Sequence, residues 1–233
     1  MKIISLFFLP VLLLEITYFQ GCPNNGTTII SIPKIQLGST QQPKVGSTFT
    51  FDSDSLDSNG IPTIGYASTP IDSVIQTGMS YSGKSNVMQV YETGFQGNSK
   101  DIYYNYESNG DISVNFPNAE PLPLWLNLPI HSTGATVQTL VDSMNGNVHI
   151  VEGDSVVNVG IFNTTVNGKV LPTVEFKMTL FIQSTVAGVT SSSSVLTTFY
   201  SIAPSIGYFT ELLMPTNHSG NGSDQILISF KLK

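Results

Sequence analysis

The sequence predicts an all-β protein, or a β-rich one with one or two short helices, folded as a single antiparallel domain. Three observations predict it. Apolar and polar residues alternate with period two, Asn-Gly pairs punctuate the alternating runs, and nothing after residue 45 sustains the three-and-four spacing of an amphipathic helix. In "VEFKMTLFIQ", Val174, Phe176, Met178, Leu180 and Ile182 alternate with polar residues except at Phe181. "DISVNF" places Ile112, Val114 and Phe116 on one face, and "QILISFKLK" does the same for Ile226, Ile228, Phe230 and Leu232. Such runs describe strands with one face on a core and one in water.

Asn-Gly at 109–110, 145–146 and 167–168 tolerates the positive φ of a type I′ turn, so each pair predicts a hairpin. "EGD" at 152–154 reads as a further turn, and "SSSS" at 191–194 as an exposed link. The resulting meander has strands near 101–108, 110–116, 137–144, 147–152, 155–166, 169–184, 194–203 and 224–232. Earlier strands are expected near 47–52, 63–67, 74–82 and 86–93. Only "PLWLNLP" and "GATVQTLVDSM" offer a turn or two of helix.

Composition limits the partners. The 233 residues are 40% apolar, enough for a sizeable core, and only 11% charged. Nine lysines, no arginine and a net charge of −7 argue against nucleic acid, whose phosphates and base edges are met by Arg and Lys.

The N-terminus predicts export. "KIISLFFLPVLLL", residues 2–14, is one positive charge followed by an apolar run, too short to span about 30 Å of hydrocarbon, and fits a signal peptide over 1–21. The only cysteine, Cys22, follows directly in "FQGC". This resembles the lipobox of bacterial lipoproteins, with Phe19 and Gln20 departing from the usual residues. The resemblance implies acylation of Cys22 and a protein held at the bacterial cell envelope, periplasmic or surface-exposed. A plain signal peptide with a spare cysteine and an uncleaved anchor are the alternatives. Residues 22–44, rich in Pro, Gly, Thr and Gln, read as the lipidated residue and a tether, leaving 45–233 as the β domain. One cysteine excludes an intrachain disulfide.

Catalytic patterns are missing, and the sequence predicts no enzyme, no cofactor and no metal. There is no G-x-S-x-G elbow, and Pro33 removes the helix that Ser31-x-x-Lys34 would need. His131, His149 and His218 lie far apart. Asp52, Asp54, Asp57 and Asn59 carry oxygens suited to calcium, but an EF-hand register fails at Leu56 and Asp57, and a self-capped turn explains the cluster as well.

"NAEPLPLWLNLPI", residues 118–130, holds the only tryptophan and three prolines. Its prolines predict a segment that crosses or covers the sheet instead of joining it. It is either a lid over a curved sheet or the wall of a ligand pocket lined by Leu122, Leu124, Trp125, Leu126 and Leu128.

Near the end stands "TTFYSIAPSIGYFTELLMP", residues 197–215, in which Pro204 ends one strand and Gly207 permits the reversal into the next. Tyr200, Ala203, Pro204, Ile206 and Gly207 resemble the penultimate-strand motif of bacterial envelope proteins with a curved half-barrel sheet, among them the periplasmic lipoprotein carriers of the Lol system. The usual Val-Lys is replaced by Tyr208-Phe209-Thr210. The resemblance implies a strongly curved half-barrel that holds acyl chains in its concave face, with Phe176, Met178, Leu180 and Trp125 contacting lipid.

Two functions therefore compete: a membrane-anchored lipoprotein carrying an apolar ligand, and a structural or interaction lipoprotein with a filled core and a surface for protein or glycan. An apolar cavity of several hundred Å³ would favour the first; a packed interior would favour the second.

Overall fold

The computed structural model describes residues 35–63, 67–95, 98–117, 125–131, 135–215 and 222–233. The chain divides into Met1–Lys34 and Ile35–Lys233, and the second unit is the one described. The signal peptide, Cys22, Leu122, Leu124 and His218 lie outside the described residues.

The unit is all-β. Its strands are β1 (Thr48–Leu56), β2 (Ile71–Tyr81), β3 (Lys84–Phe95), β4 (Asn98–Tyr106), β5 (Ile112–Asn115), β6 (Leu126–Leu128), β7 (Ala135–Asn145), β8 (Val148–Val166), β9 (Lys169–Val186), β10 (Val189–Ala203), β11 (Tyr208–Met214) and β12 (Gly222–Lys231). They form one antiparallel sheet in the order β6-β5-β4-β3-β2-β1-β12-β11-β10-β9-β8-β7. Every sequential pair is adjacent except β6 and β7, and β1 pairs with β12. This is an up-and-down barrel with one seam left open between its two edge strands.

The curl is measurable. Tyr104 on β4 and Tyr208 on β11 are five ladder steps apart, a separation of roughly 24 Å in a flat sheet at about 4.8 Å per strand. Their hydroxyls nevertheless lie 3.0 Å apart. The half-barrel expected from the resemblance has curled further, into a nearly closed barrel.

The period-two reading holds where the wall encloses the core. Val174, Phe176, Met178 and Leu180 are buried, as are Ile112 and Val114. It fails on β12. Ile226 and Ile228 are about half exposed, and Leu227 is buried instead. The cause is a β-bulge: Thr50 pairs with Ser229 but Phe51 with Leu227, so Ile228 is the extra residue. A one-residue insertion reverses the alternation across it, so Phe230 on one side and Leu227 on the other both turn to the core and Ile226 turns away.

Three further expectations are corrected. "EGD" at 152–154 is no turn but the middle of β8. Gly153 is there because a Cβ would stand 2.6 Å from the Gln138 carbonyl oxygen and 2.7 Å from the Phe181 ring. "SSSS" at 191–194 lies within β10, not in a link. Beyond the core, the distal parts of β7–β10 have both faces largely in water, so hydroxyl pairs replace apolar alternation: Ser184 with Ser191 and Thr185 with Thr190, each at 2.8 Å. Finally, Leu126–Leu128 joins the sheet as edge strand β6 instead of crossing it. Pro129 follows this strand without entering it, as an edge permits, while Pro121 and Pro123 lie outside the described residues.

The reversal between β10 and β11 is built as the sequence predicts, with the Gly207 amide donating to the Ala203 carbonyl at 2.9 Å. Gly207 sits at φ +63°, and a Cβ there would lie 1.6 Å from the Gln41 carbonyl oxygen. That contact belongs to residues 35–44, assigned from sequence to the tether. They lie against the barrel: the Gln41 amide donates to the Pro204 carbonyl (2.9 Å), the Thr40 hydroxyl donates to the Gly110 carbonyl (2.6 Å), and Leu37 packs on the core.

Candidate functional site: the barrel interior and the seam groove

Two regions compete as a site, the interior and the seam. The interior is occupied by its own side chains. Phe49 stacks on Tyr208 at 3.9 Å between centroids, Tyr104 and Phe209 close around Tyr208, and Tyr200 packs on Phe209. Leu126, Leu128, Phe176, Met178 and Leu180 all belong to this cluster and are at most 4% exposed. These candidate lipid contacts thus lie within one buried core.

One polar network is enclosed with them. Asp72 and Glu92 stand opposite each other across β2 and β3. The Tyr208 hydroxyl donates to Asp72 Oδ2 at 2.8 Å and accepts from the Tyr104 hydroxyl. Lys100 Nζ lies 3.1 Å from Glu92 Oε1. Burial first, then the charge of Glu92, pushes the Asp72 carboxyl up to about 7. Burial likewise holds Tyr104 and Tyr208 well above the ordinary phenol value.

Trp125 is placed differently from the leucines that follow it. Its ring turns out of the core into a groove of about 470 Å³. Its Nε1–H donates to the Ser82 carbonyl at 3.0 Å. Tyr81 meets it edge-on at 6.3 Å and is itself stacked on Tyr103 at 3.7 Å. Lys84 Nζ lies 5.5 Å from the Trp125 ring centre, ion-pairs with Glu107 and donates to Ser113 Oγ at 3.3 Å. Ser113 in turn donates to Glu107 (3.1 Å).

The turn between β4 and β5 forms one side of the groove. Asp111 Oδ2 accepts from the Asn109 side chain at 2.8 Å, and Oδ1 accepts from the His131 amide at 3.3 Å. Asn127 from β6 and Gln138 from β7 both line the groove. The two ends of the sheet therefore meet here: this groove is the seam of the barrel. The sequence singled out Trp125, but nothing local announced Lys84, Glu107, Asn127 or Gln138, which lie on separate strands and loops.

The remaining candidates fall elsewhere. Asp57 Oδ1 accepts from the amides of Asn59 (2.8 Å) and Ile61 (2.9 Å), which lower its pKa, so the acidic stretch ends in a self-capped turn. Asp54 stands on β1 opposite Asp224, and Asp52 opposite Ile226. Among the described residues no group of three or more acidic, histidine or cysteine side chains is arranged to hold a metal. His149 Nε2 is 2.6 Å from Asp142 on the exposed part of the sheet, and His131 Nε2 is 3.3 Å from the Thr40 hydroxyl.

No family model matches the chain, and neither does any curated protein sequence. Among solved structures, a Bacteroides fragilis protein described as exported and as having a YMCC-like fold aligns over 83% of this chain and 99% of its own, at 13% identity and a TM-score of 0.42.

Proposed function

We propose that this chain is a non-enzymatic binding protein of the bacterial cell envelope, anchored through lipid on Cys22, with the barrel as a rigid scaffold and the seam groove as its contact surface. The observation that carries this reading is the filled interior. A carrier of acyl chains leaves an apolar void that its ligand fills. Here Phe176, Met178, Leu180, Leu126 and Leu128 are buried in one core with the aromatic cluster. What the described surface offers instead is a groove with a polar lining and one tryptophan. Export and lipidation rest on the N-terminal sequence: an apolar run followed by "FQGC".

Native and denaturing mass spectrometry of the full chain, expressed with its N-terminus in a bacterial host and purified in mild detergent, tests both parts. The expected result is a covalent mass increase from diacylglycerol and a further acyl chain that maps to Cys22, with no additional lipid released on unfolding. A stoichiometric, non-covalent lipid released on unfolding would overturn the filled-scaffold reading in favour of a carrier. An unmodified Cys22 would overturn the anchor.

A further inference from the structure

We infer that the seam groove binds a neutral oligosaccharide, a proposal that rests on reading the chain as a binding protein and names its ligand class. Four features of the groove support it.

The first is the aromatic platform. The chain's single tryptophan is left partly exposed, with Lys84 Nζ over its ring, although a buried position beside Leu126 would gain more apolar burial. Its orientation is set from two sides, by the hydrogen bond to the Ser82 carbonyl and by the edge-on Tyr81, which Tyr103 backs. A rigid aromatic face costs little entropy to present. The face of a pyranose ring, lined by C–H groups, is the polar molecule that such a surface suits.

The second is the hydrogen-bonding chemistry. Sugar hydroxyls donate and accept together, so they suit carboxamides, which do both. Asn127 and Gln138 line the groove, and neither makes a side-chain hydrogen bond among the described residues. Beside them, Glu107, Ser113 and Lys84 form a network that is already oriented. An apolar ligand would strip water from these groups with no replacement.

The third is charge. The groove carries Lys84 against Glu107 and Asp111, and the chain has a net charge of −7 with no arginine. Phosphorylated or sulfated polymers are met by cationic clusters, which this groove lacks. The fourth is shape. The groove is open to solvent and is lined from β6 by Asn127, from β7 by Gln138 and from the β4–β5 turn by Glu107 and Asp111, so a ligand can be held from several sides.

The sole tryptophan makes the test direct, because its emission reports this groove alone. The full chain is titrated with hexasaccharides of β-1,4-glucose, α-1,4-glucose and β-1,4-N-acetylglucosamine, with dextran sulfate as the polyanion and an extended Val/Thr-rich decapeptide as a strand mimic. The expected result is a saturable emission shift with at least one neutral hexasaccharide and none with dextran sulfate. By calorimetry, Trp125→Ala should weaken that binding by about tenfold or more, and Asn127→Ala or Gln138→Ala by about threefold to tenfold, for lost stacking and hydrogen bonds. The unfolding midpoints of the two amide variants should stay at the wild-type value.

No shift with any of the three hexasaccharides overturns the proposal. So does binding that survives Trp125→Ala in a folded protein. A shift with the decapeptide alone would make the seam a strand-docking site, which sinks the carbohydrate assignment but leaves the binding-protein reading standing. That reading fails separately, on a non-covalent lipid in the mass spectrum.

Discussion

Replacing Asp72 by Asn should make the barrel more stable at neutral and alkaline pH and leave it unchanged in acid. Asp72 is 4% exposed, faces Phe49 from β1 and Glu92 from β3, and accepts from Tyr208 of β11, with Tyr104 behind that hydroxyl and Lys100 paired to Glu92. Only one of its carboxyl oxygens has a hydrogen-bond partner, so the charged form is poorly solvated. Its folded pKa is raised from 3.8 to about 7. A raised pKa means that the folded state holds the proton more tightly than the unfolded chain. The associated stability is fully present below about pH 4 and is lost as pH rises through 7. At about 1.4 kcal/mol per pH unit, that loss is about 4 kcal/mol, a large share of the total stability of a domain.

Asn keeps the shape and still accepts from Tyr208, but it does not titrate. Urea unfolding of the wild type and Asp72→Asn at pH 4, 6 and 8.5 isolates the effect of Asp72 and its coupling to Glu92, because titrating groups that do not couple to Asp72 cancel between the two proteins. Among those groups, the Asp154 carboxyl is raised to about 6 by burial, and Glu211 and Asp224 are raised by burial and by neighbouring acids. The expected outcome is near-equal stability at pH 4 and a variant about 4 kcal/mol more stable at pH 8.5. Parallel stability curves for the two proteins would refute the assignment of a buried, proton-holding Asp72.

Two other substitutions test the barrel itself. Gly207→Ala combines a positive φ with a Cβ 1.6 Å from the Gln41 carbonyl oxygen, so residues 35–44 must lift from the barrel end; the expected loss is about 2 kcal/mol or more, with new proteolytic cleavage in that stretch, whereas unchanged cleavage would show that the contact is dispensable. Phe176→Ala, at a fully buried site, should cost about 4 kcal/mol and lower the melting temperature by roughly 10 °C. A loss under about 1 kcal/mol in the same experiment would mean that the ring lines a void instead of a packed core.

Local residue order carried most of the architecture. Alternation in "VEFKMTLFIQ" defined the core face of β9, since a strand between water and an apolar interior must alternate, and in "DISVNF" it picked out Ile112 and Val114, although Ser113 and Asn115 of β5 are buried as well. Asn167-Gly168 marked its hairpin by lying at positive φ in both residues, and Pro204 with Gly207 marked the last reversal but one. These are one- to four-residue preferences, legible without any partner strand. The N-terminal features, too, are local: an apolar run and a cysteine.

The rest depended on what lies across the sheet. Whether Ile226 or Leu227 faces the core is decided by a bulge against β1, a strand some 175 residues earlier in the chain. Ser191–Ser194 forms strand because residues 181–184 of β9 pair with it, although its own residues show no apolar face. The interior filled because a meander read as a half-barrel curled until Tyr104 met Tyr208, leaving no open concave face among the described residues. The same closure brought β6 and β7 to one seam and set Trp125 beside Lys84, Glu107, Asn127 and Gln138. Sequence by itself determined the strands, because alternation and turn chemistry act within a few residues. Only tertiary structure decided which side chains share a groove, because curvature is a property of the whole sheet.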